Sequence, residues 1–139
     1  MAIEFREYNN LPKEAIEIRD TVFVKEQGFA EEFDTVDGTA THIVTFCDGK
    51  AAATCRFFGQ EGYYLIGRIA VLQAFRSQGF GGSIIRHAEE RISAVGGKEI
   101  RIHAQARVEG FYRKLGYVSI GDYDFDENCR HIWMVKYLN

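Results

Sequence analysis

Along the chain the hydrophobic positions change period several times, and each change marks an element. IEFREY (Ile3 to Tyr8) alternates apolar and polar, the period of a half-buried strand. Leu11, Ala15, Ile18 and Val22 then fall at helical spacing and predict a helix running to about Lys25. Asn9 or Asn10 is placed to cap it, with Pro12 in its first turn. Gly28 to Thr41 is polar, acidic and without period, hence a loop. HIVTFCD (His42 to Asp48), the turn DGK and AAATCRFFG (Ala51 to Gly59) predict a hairpin, and YYLIGRIAV (Tyr63 to Val71) a third strand. That strand is apolar on both faces at its end, which suits a central position. Ile84, Ile85, Ala88, Ile92 and Val95 share one face of a helix over Ser83 to Val95, ended by Gly96-Gly97. EIRIHAQ (Glu99 to Gln105) reads as a strand, VEGFYRKLG as a short helix, and YVSIGDY and HIWMVKYL as two final strands. The order β-α-β-β-β-α-β-α-β-β predicts an α+β or mixed α/β layer around one central sheet. At 139 residues, positions 1–139 form one domain with a substantial core.

One segment runs against its own periodicity. RSQGFGG (Arg76 to Gly82) opens the second long helix with three glycines, each costing roughly 1 kcal/mol against alanine inside a helix. The sequence strand, glycine loop, helix start is a place to bind phosphate. Unpaired amides of the first turn point outward, the helix dipole adds positive charge, and glycine lets a ligand approach the backbone. Arg76 adds a full charge at the rim. No GKS or GKT follows, so the loop is not a nucleoside-triphosphate P-loop. No GxGxxG with a later acidic partner supports a dinucleotide site. On this stretch alone, a tight loop with close helix packing fits equally well.

Composition narrows the partners. Hydrophobic residues are 46% and charged residues 27%, with a net charge of −3. The basic residues are scattered, which argues against nucleic-acid binding. No apolar run approaches the roughly 20 residues of a membrane span, and the charged MAIEFREYNN is not a signal peptide, so a cytoplasmic protein without membrane contact is expected. Cys47, Cys55 and Cys129 are isolated, without a CxxC pair, so reduced thiols are expected rather than a disulfide or a metal site. The other charged feature is Val22 to His42, which carries Glu26, Glu31, Glu32, Asp34, Asp37 and His42. Such a run is either a solvated loop or a cluster that attracts a cation.

A second motif gives the glycine loop its context. Phe111-Tyr112-Arg113-Lys114-Leu115-Gly116-Tyr117 follows a strand ending in HAQ. Together with Arg76-Ser77-Gln78-Gly79-Phe80-Gly81, it resembles the GCN5-related N-acetyltransferase (GNAT) family over nearly the whole chain. Arg19-Asp20-Thr21-Val22-Phe23-Val24-Lys25-Glu26-Gln27, followed by acids and His-Ile-Val, resembles the small subgroup related to ElaA. The resemblance implies a single mixed sheet with helices on both faces. It implies acetyl transfer from acetyl-coenzyme A (acetyl-CoA) to a primary amine by direct attack, without a covalent enzyme intermediate and without a metal. Arg76, Gln78, Gly79, Phe80, Gly81 and Gly82 would then cradle the pyrophosphate, with Gln105 and Phe111 also against the cofactor. A backbone amide in Ile69, Ala70, Val71 would face the thioester oxygen. Tyr112 would protonate the leaving thiolate, with Phe111 beside it as a core anchor. The acidic loop would border the acceptor, with Asp34, Asp37 and His42 on that side. Glu26, at the end of a periodic helix, is the most fixed acid and the candidate base, with His103 as another. The family often has an Asn and a small Ala where this chain has Gln105 and Val108. A CoA-binding module without turnover, an acyltransferase for a longer acyl donor and an interaction domain are the alternatives, and HIWMVKYL could pair strands in a homodimer.

Overall fold

The computed structural model describes residues 1–30 and 32–139; Glu31 lies outside the described residues. Its elements are β1 (Ile3–Tyr8), α1 (Lys13–Arg19), β2 (Thr41–Cys47), β3 (Lys50–Gln60), β4 (Tyr63–Val71), α2 (Phe80–Ala94), β5 (Glu99–Gln105), α3 (Glu109–Lys114), β6 (Val118–Asp126) and β7 (Cys129–Tyr137). The expected order of strands and helices holds. The boundaries differ in two places that matter. The first helix continues as a π-helical stretch over Asp20–Glu26, and its start differs from expectation. Pro12, not Asn9 or Asn10, is the N-cap, and no side chain caps the helix. Proline has no N–H to leave unpaired, and its carbonyl accepts from Ile16 at 3.1 Å. The helix α2 begins at Phe80, three residues before Ser83, so Gly81 and Gly82 lie in its first turn.

The seven strands form one sheet in the order β1-β2-β3-β4-β5-β7-β6. All pairs are antiparallel except β4 with β5, which α2 connects. Strand alternation explains the two faces. Ile43 packs with Ile84, Ile85, Ala88 and Ile92 of α2, whereas its neighbour Val44 packs with Ala15 of α1. The helices α1 and α2 therefore cover opposite faces. The α2 side holds the larger core and also takes in Ile100, Ile102, Tyr112, Tyr117 and Met134. Ile18, Val22 and Phe23 pack with Ala70 on the other face. HIWMVKYL is not an edge: β7 is flanked by β5 and β6, so it has no free strand edge for a second chain. Cys47, Cys55 and Cys129 are free thiols.

Candidate active site

The sheet opens between its two parallel strands. Pairing of β4 with β5 covers only Tyr64 with Ile100 and Leu65 with Arg101. Beyond that point β5 continues along β7 as far as Gln105 opposite His131. The strand β4 instead follows β3, and it does so through a bulge. Thr54 faces Ala70 and Arg56 faces Gly67, so β4 carries one extra residue there. Arg68, in the bulge, has φ +50°, a conformation uncommon for a residue with a side chain. Its guanidinium bonds the Glu32 carbonyl at 3.1 Å and Asp34 at 3.3 Å, contacts that help to hold the bulge. The edge of β4 over Ile69, Ala70 and Val71 is left without a strand partner on the β5 side.

A cleft of about 1190 Å³ occupies this gap. Glu26, Ile69, Ala70, Val71, Arg76, Gly79, Phe80, Gly81, Gly82, Gln105, Phe111 and Tyr112 all line it. Gln78 does not; its side chain turns back to the Ala74 carbonyl at 3.3 Å. Gly79 is the N-cap of α2, with φ +85°, and no side chain caps the helix. The Ser83 amide bonds the Gly79 carbonyl at 3.1 Å, which leaves the amides of Phe80, Gly81 and Gly82 before the first intrahelical bond. Both readings of the glycines hold at once. A Cβ on Gly81 would come within 3.2 Å of the Phe111 ring, so this glycine also permits close packing of α2 on α3. Arg76 is not free at the rim. It bonds both Glu26 oxygens at 3.0 Å and the Val71 carbonyl at 2.9 Å.

The aromatic pair of α3 is arranged opposite to expectation. Phe111 is 39% exposed, whereas Tyr112 is 7% exposed and belongs to the core. Gly81 contributes to this: with no side chain there, Phe111 lies against the first turn of α2 at the cleft wall. Tyr112 turns inward, edge-on to Tyr117 with ring centres 6.3 Å apart. Burial drives the Tyr112 phenol far above its ordinary range, so it carries its proton at any physiological pH. The Gln105 amide bonds the Gln27 side chain at 2.8 Å, which spans the cleft from β5 to the end of the first helix.

The acidic loop closes on itself. Arg19, 1% exposed, bonds Glu32 at 2.7 Å and Asp37 at 2.8 and 3.1 Å. Arg56 bonds Asp34 at 2.6 Å and Asp37 at 2.8 Å. With Arg68, three arginines face Glu32, Asp34 and Asp37. Burial works against the Asp37 carboxylate, but the bonds from Arg19, the Asp34 amide and Arg56 outweigh it and hold its pKa down at about 2. Burial pushes Glu32 up, against the pull of Arg68 and Arg19. His42 is fully buried, its ring nitrogen Nε2 2.9 Å from the Asp37 carbonyl, and burial lowers its pKa. Asp34, Asp37 and His42 do not line the cleft, because each is turned into this network; of the acids in the loop, Glu32 lines it.

The wall away from α2 is only partly marked in the sequence. Phe29, Arg68, His103 and His131 line it. The His103 ring stacks between His131 and Trp133, with centres 4.5 Å from each, and its Nε2 lies 2.7 Å from Asp124. Of these, His103 carries the sequence expectation of a candidate base, whereas the sequence marks His131 only as part of a strand. The signal available was their matching phase on two strands in a chain with four histidines. Among the described residues, no three His, Cys, Asp or Glu side chains are grouped to hold a metal, and no helix is long and apolar enough to cross a membrane.

A split parallel pair, an uncapped helix start and a buried tyrosine share one cleft, and residues 8–138 match the acetyltransferase (GNAT) domain. The chain belongs to this family and is an acetyltransferase. The Bacillus subtilis uncharacterized N-acetyltransferase YjcF is 34% identical over 127 residues, covering 89% of this chain and 91% of the relative. A Lactobacillus plantarum structure assigned as an N-acetyltransferase superimposes with a TM-score of 0.91 at 25% identity, covering 100% of both chains. Escherichia coli ElaA shares the fold, with a TM-score of 0.86 at 22% identity over 97% of this chain and 99% of its own.

Proposed function

We propose that the protein transfers an acetyl group from acetyl-CoA, a co-substrate, to the primary amine of a small molecule or peptide. The observation that carries this reading is the opening of three features onto one cleft: the unpaired edge of β4, the uncapped start of α2 and Tyr112. The amides of Phe80, Gly81 and Gly82 and the charge of Arg76 suit a pyrophosphate. The edge Ile69 to Val71 offers a backbone donor to a thioester oxygen. Tyr112, protonated at physiological pH, is the proton donor to the departing sulfur. Glu26 serves by holding Arg76 at the rim, since both its oxygens are engaged there. The charged loop supports the wall of the cleft through Glu32 and Arg68.

Titration calorimetry with CoA, acetyl-CoA and longer acyl-CoA donors tests the donor, and thiol release with a panel of polyamines, amino acids, aminoglycosides and peptides tests the transfer. Tyr112→Phe is expected to lower turnover by about 10² to 10⁴-fold, the usual worth of a general acid, with little change in donor affinity. Binding of acetyl-CoA without thiol release from any amine would show a CoA-binding module instead.

A further inference from the structure

We propose that His131 is the general base that takes a proton from the incoming ammonium group; this rests on the acetyl-transfer reading above. His131 lines the cleft and is 6% exposed. Its Nδ1 lies 2.9 Å from the Cys129 carbonyl oxygen. A carbonyl oxygen only accepts, so Nδ1 carries the ring proton and Nε2 of the neutral ring holds the lone pair. The orientation is fixed twice more. One face stacks on His103, and the Phe29 ring stands edge-on with centres 6.5 Å apart.

The carboxylates on the cleft are paired or lie at its exposed rim. Both Glu26 oxygens bond Arg76. Glu32 bonds Arg19 and pairs with Arg68. His103 Nε2 lies 2.7 Å from Asp124 and donates to that carboxylate, which leaves the lone pair of the neutral ring on Nδ1. Glu127 accepts the Ala30 amide at 2.7 Å, and Asp126 is exposed at the end of β6. Around His131 itself the ionisable neighbours are His103 from β5, Asp124 opposite it on β6 and Cys129 on its own strand. Asp124 bears on the site through His103.

The protons balance as follows. His131 Nε2 takes one proton from the ammonium, giving a neutral amine and an imidazolium. The nitrogen attacks the thioester carbon, the C–N bond forms and the C–S bond breaks. Tyr112 gives its proton to the sulfur, and the second proton lost by the nitrogen restores the phenol. The imidazolium returns its proton to water, so one proton is released per acetyl group transferred.

Two measurements test the assignment. In ¹⁵N-histidine spectra of the free protein, the resonances absent from His131→Phe should report an Nδ1–H ring with an unprotonated Nε2; an Nε2–H ring overturns the proposal. In kinetics with acetyl-CoA and the best amine of the panel, His131→Phe and His131→Asn should lose about 10² to 10⁴-fold in kcat/KM at pH 7, with the acetyl-CoA Kd unchanged. The deficit should shrink as pH rises toward the amine's own pKa, where solvent already supplies neutral amine. A purely structural role would give the same deficit at every pH, and that result, or variants as fast as wild type, overturns the proposal. If His131→Phe does not fold, His131→Asn carries the measurement. A wild-type protein that binds acetyl-CoA but acetylates no amine overturns the transfer reading and this one with it. A wild type that turns over with unimpaired variants overturns His131 alone. Loss of turnover in His103→Asn with His131→Asn unimpaired overturns the assignment.

Discussion

Two loops flank the cleft, and both stand out in the sequence for their chemistry, yet they finish in opposite states. The loop rich in acids turns its charges inward. Glu32, Asp34 and Asp37 find Arg19, Arg56 and Arg68, and the network satisfies most of its own polar atoms. Within it, His42 Nδ1 and Arg56 Nε are buried without a partner among the described residues. The loop rich in glycine carries little charge and leaves its donors open: three amides at the start of α2 have neither a side-chain cap nor an intrahelical partner. Charge density in a sequence therefore does not tell which loop keeps its polar groups open. Side-chain charges can be neutralised by other side chains far along the chain, as Arg56 and Arg68 do here. Backbone amides at a helix start have no such reserve, so a missing cap is the more telling feature.

The comparison breaks most visibly at Arg19. Removing it as Arg19→Leu leaves Glu32 and Asp37 buried beside one fewer cation, and unfolding free energy should fall by about 3–5 kcal/mol. Acyl-CoA affinity of the folded fraction should be unchanged. Denaturant titration beside calorimetry separates the two, and a weak stability effect would return the acidic loop to the class of solvated surface runs.

A second measurement uses pH. Asp37 holds its proton less tightly when folded, at about 2, than the ordinary value of 3.8. Its contribution is complete above about pH 4 and is lost as pH falls from there toward 2, a change of about 2 kcal/mol. Glu32 acts in the opposite sense, because burial raises its pKa. Asp37→Asn should be less stable at neutral pH and should show a flatter loss between pH 4 and 2. An unchanged acid slope in that variant would mean that other carboxylates govern acid unfolding.

On the other loop, Gly81→Ala is the smallest change that adds a side-chain atom. The new Cβ meets Phe111 at 3.2 Å, so the ring must give by a few tenths of an ångström. Alanine also recovers roughly 1 kcal/mol of helix propensity, so stability should stay nearly level. Acyl-CoA affinity should fall about tenfold, the loss of one modest bond to a charged group. Undiminished affinity would mean that packing on Phe111 is the only task of this glycine.

The fold was legible because it rests on local periods. β4 and β5 match the expected bounds, Tyr63 to Val71 and Glu99 to Gln105. The cleft was legible in part, through the glycines and the Phe111-Tyr112 motif. What escaped the sequence is long-range pairing. Nothing near Asp37 announces Arg19 or Arg56, 18 and 19 residues away. The bulge at Arg68 directly follows Gly67, a glycine inside a strand that can mark a bulge, but the positive φ falls on the arginine, which the sequence does not announce. The exposure of Phe111 beside a buried Tyr112 depends on Gly81 of a different helix, which a reading of α3 by itself does not contain.

The smallest expected effect decides the role of Glu26. Its pair with Arg76 is partly exposed, with side chains 32% and 40% accessible, and such pairs are worth about 0–1 kcal/mol. Glu26→Gln should therefore leave stability within that range. Holding Arg76 and taking a proton predict different kinetics. If Glu26 only holds the guanidinium, the variant frees Arg76 to lean toward a phosphate. Acyl-CoA binding should then stay level or tighten slightly, it should become more sensitive to salt, and turnover should remain within a few-fold of wild type. If Glu26 is the base, turnover should fall by about 10²-fold or more, and the low-pH limb of kcat/KM should change. Pairing the variant with Arg76→Gln sharpens the contrast. In the holding role the double variant should resemble Arg76→Gln alone, because an acid with no guanidinium to hold has nothing left to do. Independent losses in the two single variants would instead place Glu26 among the residues that act on the amine.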